Sequence, residues 1–596
     1  MENLMTAENK TAELPEWNLD DLYHSPEAEE LEVDLKRADS LSEVFAGKYQ
    51  GKLAELDGDT LGAAIADFET LTEILHKVMS YAQLLFAADV ENADNARFHQ
   101  TMQERVTDIS TKTLFFQLEL NRLDDEILEG QLKSPKAAHY APWIRDVRAF
   151  REHQLSDDLE KLLHEKSVSG SNAWVRLFDE TQAAMRFPVD GDDLTMSDIL
   201  NRLSEPDADT RKVAAKALGK GLAENSRLFS LVTNTLAKDK ATEDAWRSYR
   251  RPISSRNLSN QVEDNVVDAL VSSVKESYPD LSHRYYKLKA KWFGVDALDY
   301  WDRNAPLPDD DAKLYDWDMA QKTVLDAYGQ FDPEMADIAT HFFDKRWIDA
   351  ALRPGKDSGA FSHSTVPSAH PYILMNFHGK ARDVMTLAHE LGHGVHQVLA
   401  AGQGTLMADT PLTTAETASV FGEMLTFRSL LDAEDDPGLR RILLAGKVED
   451  MLNTVVRQIA FHEFETLVHG ERAAGELSVE RLGDIWMQVQ SDSLGDGIRL
   501  DDDYRSYWSY IPHFIHSPFY VYAYAFGDCL VNSLYDVFAS GHPGFQAKYL
   551  EMLSGGGTRM HKELLAPFGL DASDPDFWKR GLKMVSGFID ELEGNE

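Results

Sequence analysis

Apolar residues recur at three- and four-residue intervals along most of the chain, the spacing that makes one face of an α-helix. Leu61, Ile65, Phe68, Leu71, Leu75 and Val78 form one such stripe, so 61–87 is expected to be helical. The segments 262–274, 281–293, 439–468 and 479–494 carry the same period. Pro279 separates the first two, as a residue without an amide proton should. Gly470 stands where a C-cap glycine would close the third. The acidic stretch 432–436 and Pro437-Gly438 read as a loop ahead of it.

Two segments break the period. Around Pro188 and Gly191 the chain has turn chemistry, which suggests a division into an N-terminal helical region, 1–190, and a catalytic region, 191–596. In 353–377, Ser358-Gly-Ala-Phe-Ser362 and Tyr372-Ile-Leu-Met-Asn-Phe377 flank a polar, proline-containing connection and read as a small β-hairpin. The expected fold is mainly α, with a small hairpin or sheet.

Directly after the hairpin comes a helical stretch from Asp383, expected as its N-cap, to a stop near Gly402. It contains His389-Glu390-Leu-Gly-His393, the H-E-x-x-H pattern. Residues four apart lie about 40° apart around a helix and about 6 Å along it, so two imidazoles at that offset can converge on one ion. Glu390, on the flank of the same face, can reach a water beside the metal without occupying it. The pattern arises by chance in roughly one such chain in twenty, so it needs a third ligand to support it. His462-Glu463-Phe-Glu-Thr466 lacks the second histidine and reads as structural. His396 and Leu399 stand where a metzincin would carry Gly and His, which excludes that class. The next helical stretch supplies Glu416, with Ser419 and Glu423 on the same face. A His-His-Glu set leaves a zinc position open for water. The alternative for Glu416 is a purely capping role, since Thr413-Thr-Ala-Glu416 matches a capping box. His396, a turn further on, is expected to pack beside the site and not to ligate.

Charge narrows the partners. With 60 basic against 101 acidic residues the net charge is −41, which disfavours a phosphate backbone and anionic membrane surfaces. The N-terminus lacks the pattern of a signal peptide, and Met1 to Ala12 reads as a polar, frayed end. No uncharged apolar run reaches membrane-spanning length; the aromatic stretch 518–526 comes closest, and Asp528 interrupts it. The single cysteine, Cys529, fits a reducing compartment. A cytoplasmic monomer without nucleic-acid or membrane partners is expected.

Several segments together resemble the thimet oligopeptidase (M3) family of metallopeptidases, in its oligoendopeptidase F branch. They are Pro15-Glu-Trp-Asn-Leu-Asp-Asp-Leu-Tyr23, Gly359-Ala-Phe361 with Met375-Asn-Phe377, Thr386 to His396, Ala415-Glu-Thr-Ala-Ser-Val-Phe-Gly-Glu423, Ile511-Pro-His-Phe514 and Pro518 to Tyr524. The resemblance implies Glu416 as third ligand, one zinc ion per chain, a two-lobed helical body around a deep channel, and endopeptidase action on short peptides. It makes His513, Tyr520 and Tyr524 the candidate oxyanion donors, and places Gly359, Ala360 and Tyr522 on the substrate side. Of the tyrosines, Tyr522 has the weakest claim. Relatives carry Tyr two positions after the histidine, where this chain has Ile515. Two rival readings are a zinc carboxypeptidase or dipeptidase in a similar shell, and a helical peptide-binding protein without catalysis.

Overall fold

Each apolar stripe becomes the buried face of a helix. The computed structural model describes residues 14–167, 169–308, 314–357 and 359–594, which leaves the polar stretch Met1 to Ala12, and Ser358 of the hairpin, outside the described residues. The first stripe is helix Gly58–Ala88, capped by the Asp57 carboxylate accepting from the Thr60 amide, with Leu61, Ile65, Phe68, Leu71, Leu75 and Val78 inside. Asp264–Ser277 and Ser282–Trp292 follow the expected spans, and a tight turn at Tyr278–Asp280 holds Pro279 between them. Val479–Leu494 ends at Gly495, whose φ of 66° uses glycine's freedom in the left-handed region.

The 439–468 stripe is not one helix. Helices Pro437–Thr454 and Val456–Arg472 meet at Val455, which has φ −100° and ψ −66°. Gly470 lies inside the second helix and caps nothing. Pro437 is not a loop residue; it is the first helical residue, behind an Asp436 cap, a position where its missing amide proton costs no hydrogen bond.

The chain groups into two compact units, each built from three segments. Unit 1 comprises Met1–Arg151, Ala312–Ala433 and Gly541–Gly569. Unit 2 comprises Glu152–Asp311, Glu434–Ser540 and Leu570–Glu596. The turn-rich segment near 190 is a two-stranded antiparallel hairpin, Phe187–Val189 with Asp192–Leu194, and it lies within unit 2. The grouping therefore interleaves the chain where a single division at 190 would cut it once.

Within unit 1, the N-terminal helices close over an aromatic core in which Phe45, Phe68, Phe116 and Trp143 pack at centroid distances of 5.0 to 6.4 Å. The expected hairpin is present as the antiparallel pair Phe361–His363 and Tyr372–Leu374. Ile348–Asp349 adds on the far side of Tyr372–Leu374, in parallel, so Phe361–His363 is an edge strand. Lys356 fixes the base of this sheet. Its fully buried ammonium donates to the Asp349 carboxylate at 2.7 Å and to the carbonyls of Asp349, Ala351 and Met375. Within unit 2, Tyr522–Ala539 packs on Pro575–Gly594, with Gly581 against the Cys529 carbonyl. Among the described residues no helix is long and apolar enough to cross a membrane.

Candidate active site

The H-E-x-x-H segment lies on helix Ala381–Ala400, in unit 1. Val384, Leu387, Ala388, Leu391 and Val395 bury its apolar face. Asp383 sits inside the first turn and is not the N-cap; its carboxylate accepts from the His378 and Lys380 amides at 2.9 Å. The helix packs along Ser419–Ala433. Gly392 makes that approach possible, because a Cβ there would overlap the Ala418 carbonyl oxygen and the Ser419 backbone. Gly422 on the second helix lies equally close to the Tyr328 ring, and the Tyr328 hydroxyl donates back to the Ala388 carbonyl.

This packing sets the ligand geometry. Nε2 of His389 lies 3.3 Å, and Nε2 of His393 3.4 Å, from the same Glu416 carboxylate oxygen. One donor atom from each residue lies within 4.8 Å of the other two. A tetrahedral ion with bonds of roughly 2.0–2.1 Å has donor–donor edges of about 3.3–3.4 Å, so the three residues fit a zinc-sized ion. The imidazoles stand edge to face, with centroids 4.9 Å apart.

The Glu416 side chain closes no capping box. Leu412–Ala415 is a single helical turn with Pro411 at its N-cap, and Glu416 ends it with φ −75° and ψ 0°. The next helix starts only at Ser419. This break frees the Glu416 carboxylate to face the histidines. Ser419 donates to it at 2.7 Å, and the Tyr549 hydroxyl pins the following turn through the Thr417 carbonyl at 2.9 Å. Burial alone would raise the Glu416 carboxyl; His389, His393 and Ser419 outweigh it and hold it at about 2.

Spacing placed Glu423 on the face of Glu416 but did not show what it meets. Its carboxylate meets Nδ1 of His389 at 3.2 Å. A partner there fixes the ring and leaves Nε2 for the metal side. Burial opposes protonation of His389, but the bonds to Glu416 and Glu423 prevail and raise its pKa well above the usual value. Burial holds His393 down to about 4. His396 is buried, and burial holds its imidazole down to about 4. It packs beside the site, as expected.

Glu390 is 6 % exposed. Burial, with Glu416 and Glu423 adding to it and His389 opposing, pushes its carboxyl up to about 7. A carboxyl poised near neutrality suits proton transfer. The Ser362 backbone, on the edge strand, opposes that upward shift. Ser362 also exchanges bonds with Gln397: its hydroxyl donates to Oε1 at 2.9 Å, and its carbonyl accepts from Nε2 at 3.3 Å. Two hydrogen bonds to Gln397 thus fasten the strand to this helix. Just ahead of it, Gly359 and Ala360 are exposed, and Asn376 donates to the Asp357 and Gly359 carbonyls.

Within unit 2, His513, Tyr520 and Tyr524 gather. Nε2 of His513 lies 3.3 Å from the Tyr524 hydroxyl, and the Tyr520 ring lies near both, at 6.0 and 5.2 Å. All three are partly exposed. Tyr522 is not at this surface. It is fully buried, and its hydroxyl accepts from Asn260 at 2.9 Å, which corrects the expectation that it meets substrate. Ile515 is buried. His462 is buried within its helix beside the Phe519 and Tyr522 rings, the structural role expected for it.

Comparison with known proteins gives the family and the fold. Among similar sequences, the oligopeptidase PepF of Bacillus subtilis (strain 168) is 28 % identical over 620 residues, spanning 99 % of this chain and 90 % of its own. An oligoendopeptidase F homolog of Lactococcus lactis subsp. lactis (strain IL1403) is 26 % identical and covers 98 % of both chains. In fold, the oligoendopeptidase-F of Enterococcus faecium superposes with a TM-score of 0.70 at 22 % identity, over 95 % of this chain and 97 % of its own. The Oligopeptidase F family model matches residues 119–187. The model described as Peptidase family M3 matches residues 202–584, which include every candidate metal ligand, and the chain belongs to peptidase family M3.

Proposed function

We propose that this peptidase is a zinc-dependent endopeptidase that cuts internal bonds of short peptides, with one zinc ion per chain held by His389, His393 and Glu416. The observation that carries the reading is the pair of 3.3 and 3.4 Å separations from the Glu416 oxygen to the two imidazoles, with Glu390 on the flank. When bound, zinc supplies Lewis acidity toward the scissile carbonyl and toward water. Glu390 takes the proton of the attacking water and returns it to the leaving amine. Glu423 holds His389 in the ligating orientation, and Ser419 holds Glu416.

The substrate class follows the relatives, which are named oligopeptidase and oligoendopeptidase. An extended peptide would pair with the exposed backbone at Gly359 and Ala360, next to the edge strand, with side chains chosen by pockets. We assign His513, Tyr520 and Tyr524 to hydrogen bonding with the carbonyl oxygen as it gains charge. Their partial exposure, their mutual contacts and the likeness of this segment to the family support that role. The enzyme acts as a monomer, in the cytoplasm, where the buried Cys529 stays reduced.

The test is hydrolysis of internally quenched peptides blocked at both ends, by wild type and by Glu390→Gln. Wild type is expected to cut them and to lose activity with a zinc chelator. Glu390→Gln is expected to keep its metal and lose about 10²- to 10⁴-fold in kcat. Cleavage confined to peptides with a free end would assign the chain to the carboxypeptidase or dipeptidase class. Near-normal turnover by Glu390→Gln would remove it as the base.

A further inference from the structure

Within unit 2, the chain entering helix Tyr522–Ala539 makes a turn that its sequence does not favour. The Tyr520 amide donates to the Ser517 carbonyl at 3.0 Å, which closes a four-residue turn with Pro518 second and Phe519 third. Phe519 has a φ of 59°. A positive φ at the third residue, after a proline, is the signature of a type II turn, where glycine is the usual third residue. In a residue as bulky as phenylalanine that conformation is strained. A type I turn would suit Pro518-Phe519 better. The two types differ mainly by a flip of the central peptide group, here the one that joins Pro518 to Phe519.

Both ends of that peptide group are held. Its carbonyl, from Pro518, accepts from Nε of Arg256 at 3.3 Å. Its N–H, from Phe519, donates to the Glu465 carboxyl at 2.7 Å. A flip would exchange the two ends and lose both bonds. The second carboxyl oxygen of Glu465 is buried without a partner. Packing alone therefore does not account for a carboxyl here, since a leucine would fill similar space without an unpaired polar oxygen. The Phe519 ring is fully buried, with the His469 and His462 rings at 5.0 and 6.0 Å. Tyr520 follows directly. Its ring lies 5.2 Å from that of Tyr524 and 6.0 Å from that of His513. The Arg256 guanidinium lies 5.9 Å from the Tyr520 ring centroid, so one side chain meets both the turn and the tyrosine. Backbone strain that persists because its surroundings over-determine it gathers at functional sites.

We propose that Glu465 and Arg256 are positioning residues, which lock the Pro518–Phe519 peptide group in its strained orientation and so set where Tyr520 stands beside His513 and Tyr524. Without them the turn relaxes toward type I. The Phe519 ring stays anchored, so the backbone shifts around it and Tyr520 moves. The consequence for turnover rests on the reading of Tyr520 as a donor to the carbonyl oxygen. Neither Glu465 nor Arg256 meets the substrate; each acts through the tyrosine.

The test uses the metal-loaded full chain and a quenched peptide blocked at both ends. Glu465→Leu is expected to lower kcat about tenfold, with metal content and KM within twofold of wild type. Arg256→Met, at a half-buried position, is expected to do the same and serves if the buried substitution does not fold. Glu465→Gln keeps an acceptor for the Phe519 amide and is expected to recover kcat to within threefold of wild type. In a Tyr520→Phe background the hydroxyl is already gone, so Glu465→Leu and Arg256→Met are expected to cost less than a further twofold, as residues acting as a unit do. Where Tyr520→Phe lowers kcat, full turnover by both variants, or losses that persist undiminished in the Tyr520→Phe background, overturn the proposal. A second readout needs no activity. With fluorotyrosine in place of Tyr520, the fluorine resonance is expected to shift or broaden in Glu465→Leu, to stay in place in Glu465→Gln, and to broaden or split in Arg256→Met, where loss of the charge alone would only displace it. A resonance of wild-type position and width in Glu465→Leu, or of wild-type width in Arg256→Met should Glu465→Leu not fold, overturns the proposal whatever the kinetics. If Tyr520→Phe keeps wild-type turnover, the donor reading fails, and the fluorine resonance still decides whether Glu465 and Arg256 place Tyr520.

Discussion

Gly392 lies so close to Ala418 that an added Cβ would overlap the Ala418 carbonyl oxygen. Gly392 is one of the two unspecified positions of H-E-x-x-H, yet here it governs how near the helix of His389 and His393 comes to the segment carrying Glu416. The Glu416 oxygen sits 3.3 and 3.4 Å from the two imidazoles only because the backbones touch.

Gly392→Ala is therefore expected to impair the metal site without altering any ligand. The methyl group must push the two helices apart, and overpacking of this kind costs about 1–3 kcal/mol. Zinc affinity should fall at least tenfold in competition with a chelator of known strength, while far-UV circular dichroism stays that of wild type. Unchanged affinity would show that the close approach does not set the ligand spacing.

Glu423→Gln tests the orienting carboxylate. The amide keeps the shape but removes the charge that faces Nδ1 of His389 at 3.2 Å. Loss of such a partner costs about 10- to 100-fold in metal affinity. The same competition measurement applies, and turnover should return at saturating zinc. A variant that binds zinc as tightly as wild type would make Glu423 a packing residue.

The sequence shows the candidate ligands more clearly than it shows what holds them. His389, Glu390 and His393 are legible because one helix fixes their spacing. Glu416 is legible as a carboxylate on the next segment, but the capping box suggested for it is absent, because Leu412–Ala415 is one isolated turn. Nothing local marks Gly392 as a contact, since its neighbour Ala418 lies on another element. The helical period carries most of the fold, yet it runs unbroken through Val455, where no glycine or proline signals the change of direction. The grouping of three segments into each unit is set by contacts distant in sequence, and no periodicity records those.

Glu465 gives a pH prediction remote from the metal. It is 2 % exposed; one carboxyl oxygen accepts from the Phe519 amide at 2.7 Å, and the other is buried without a partner. Burial pushes its pKa up to about 8, against the Phe519 bond and the charges of Arg256 and Lys240. The unfolded chain ionises near the usual value of about 4.3. The neutral form is thus favoured by folding: its contribution is complete below about 4.3, erodes by up to about 1.4 kcal/mol per pH unit as pH rises toward 8, and levels off above that. Glu465→Gln stays neutral throughout, so its denaturant midpoint should fall less than that of wild type between pH 5 and 8. Parallel pH profiles for the two proteins would refute the assignment.

The tyrosines separate by exposure and not by order in the chain. Tyr520, just ahead of helix Tyr522–Ala539, and Tyr524, in its first turn, are partly exposed beside His513, whereas Tyr522 is turned into the core and bonded to Asn260. A donor to the developing oxyanion is worth roughly 10²- to 10³-fold in kcat. Tyr520→Phe and Tyr524→Phe should each lower kcat by about 10²-fold, with metal content unchanged and KM altered little. Tyr522→Phe removes only the bond to Asn260, so it should keep kcat within twofold and lower the unfolding free energy by about 1 kcal/mol. If Tyr522→Phe alone abolished turnover, both the burial argument and the donor assignment would fail, because a fully buried hydroxyl bonded to Asn260 has no way to reach a peptide carbonyl.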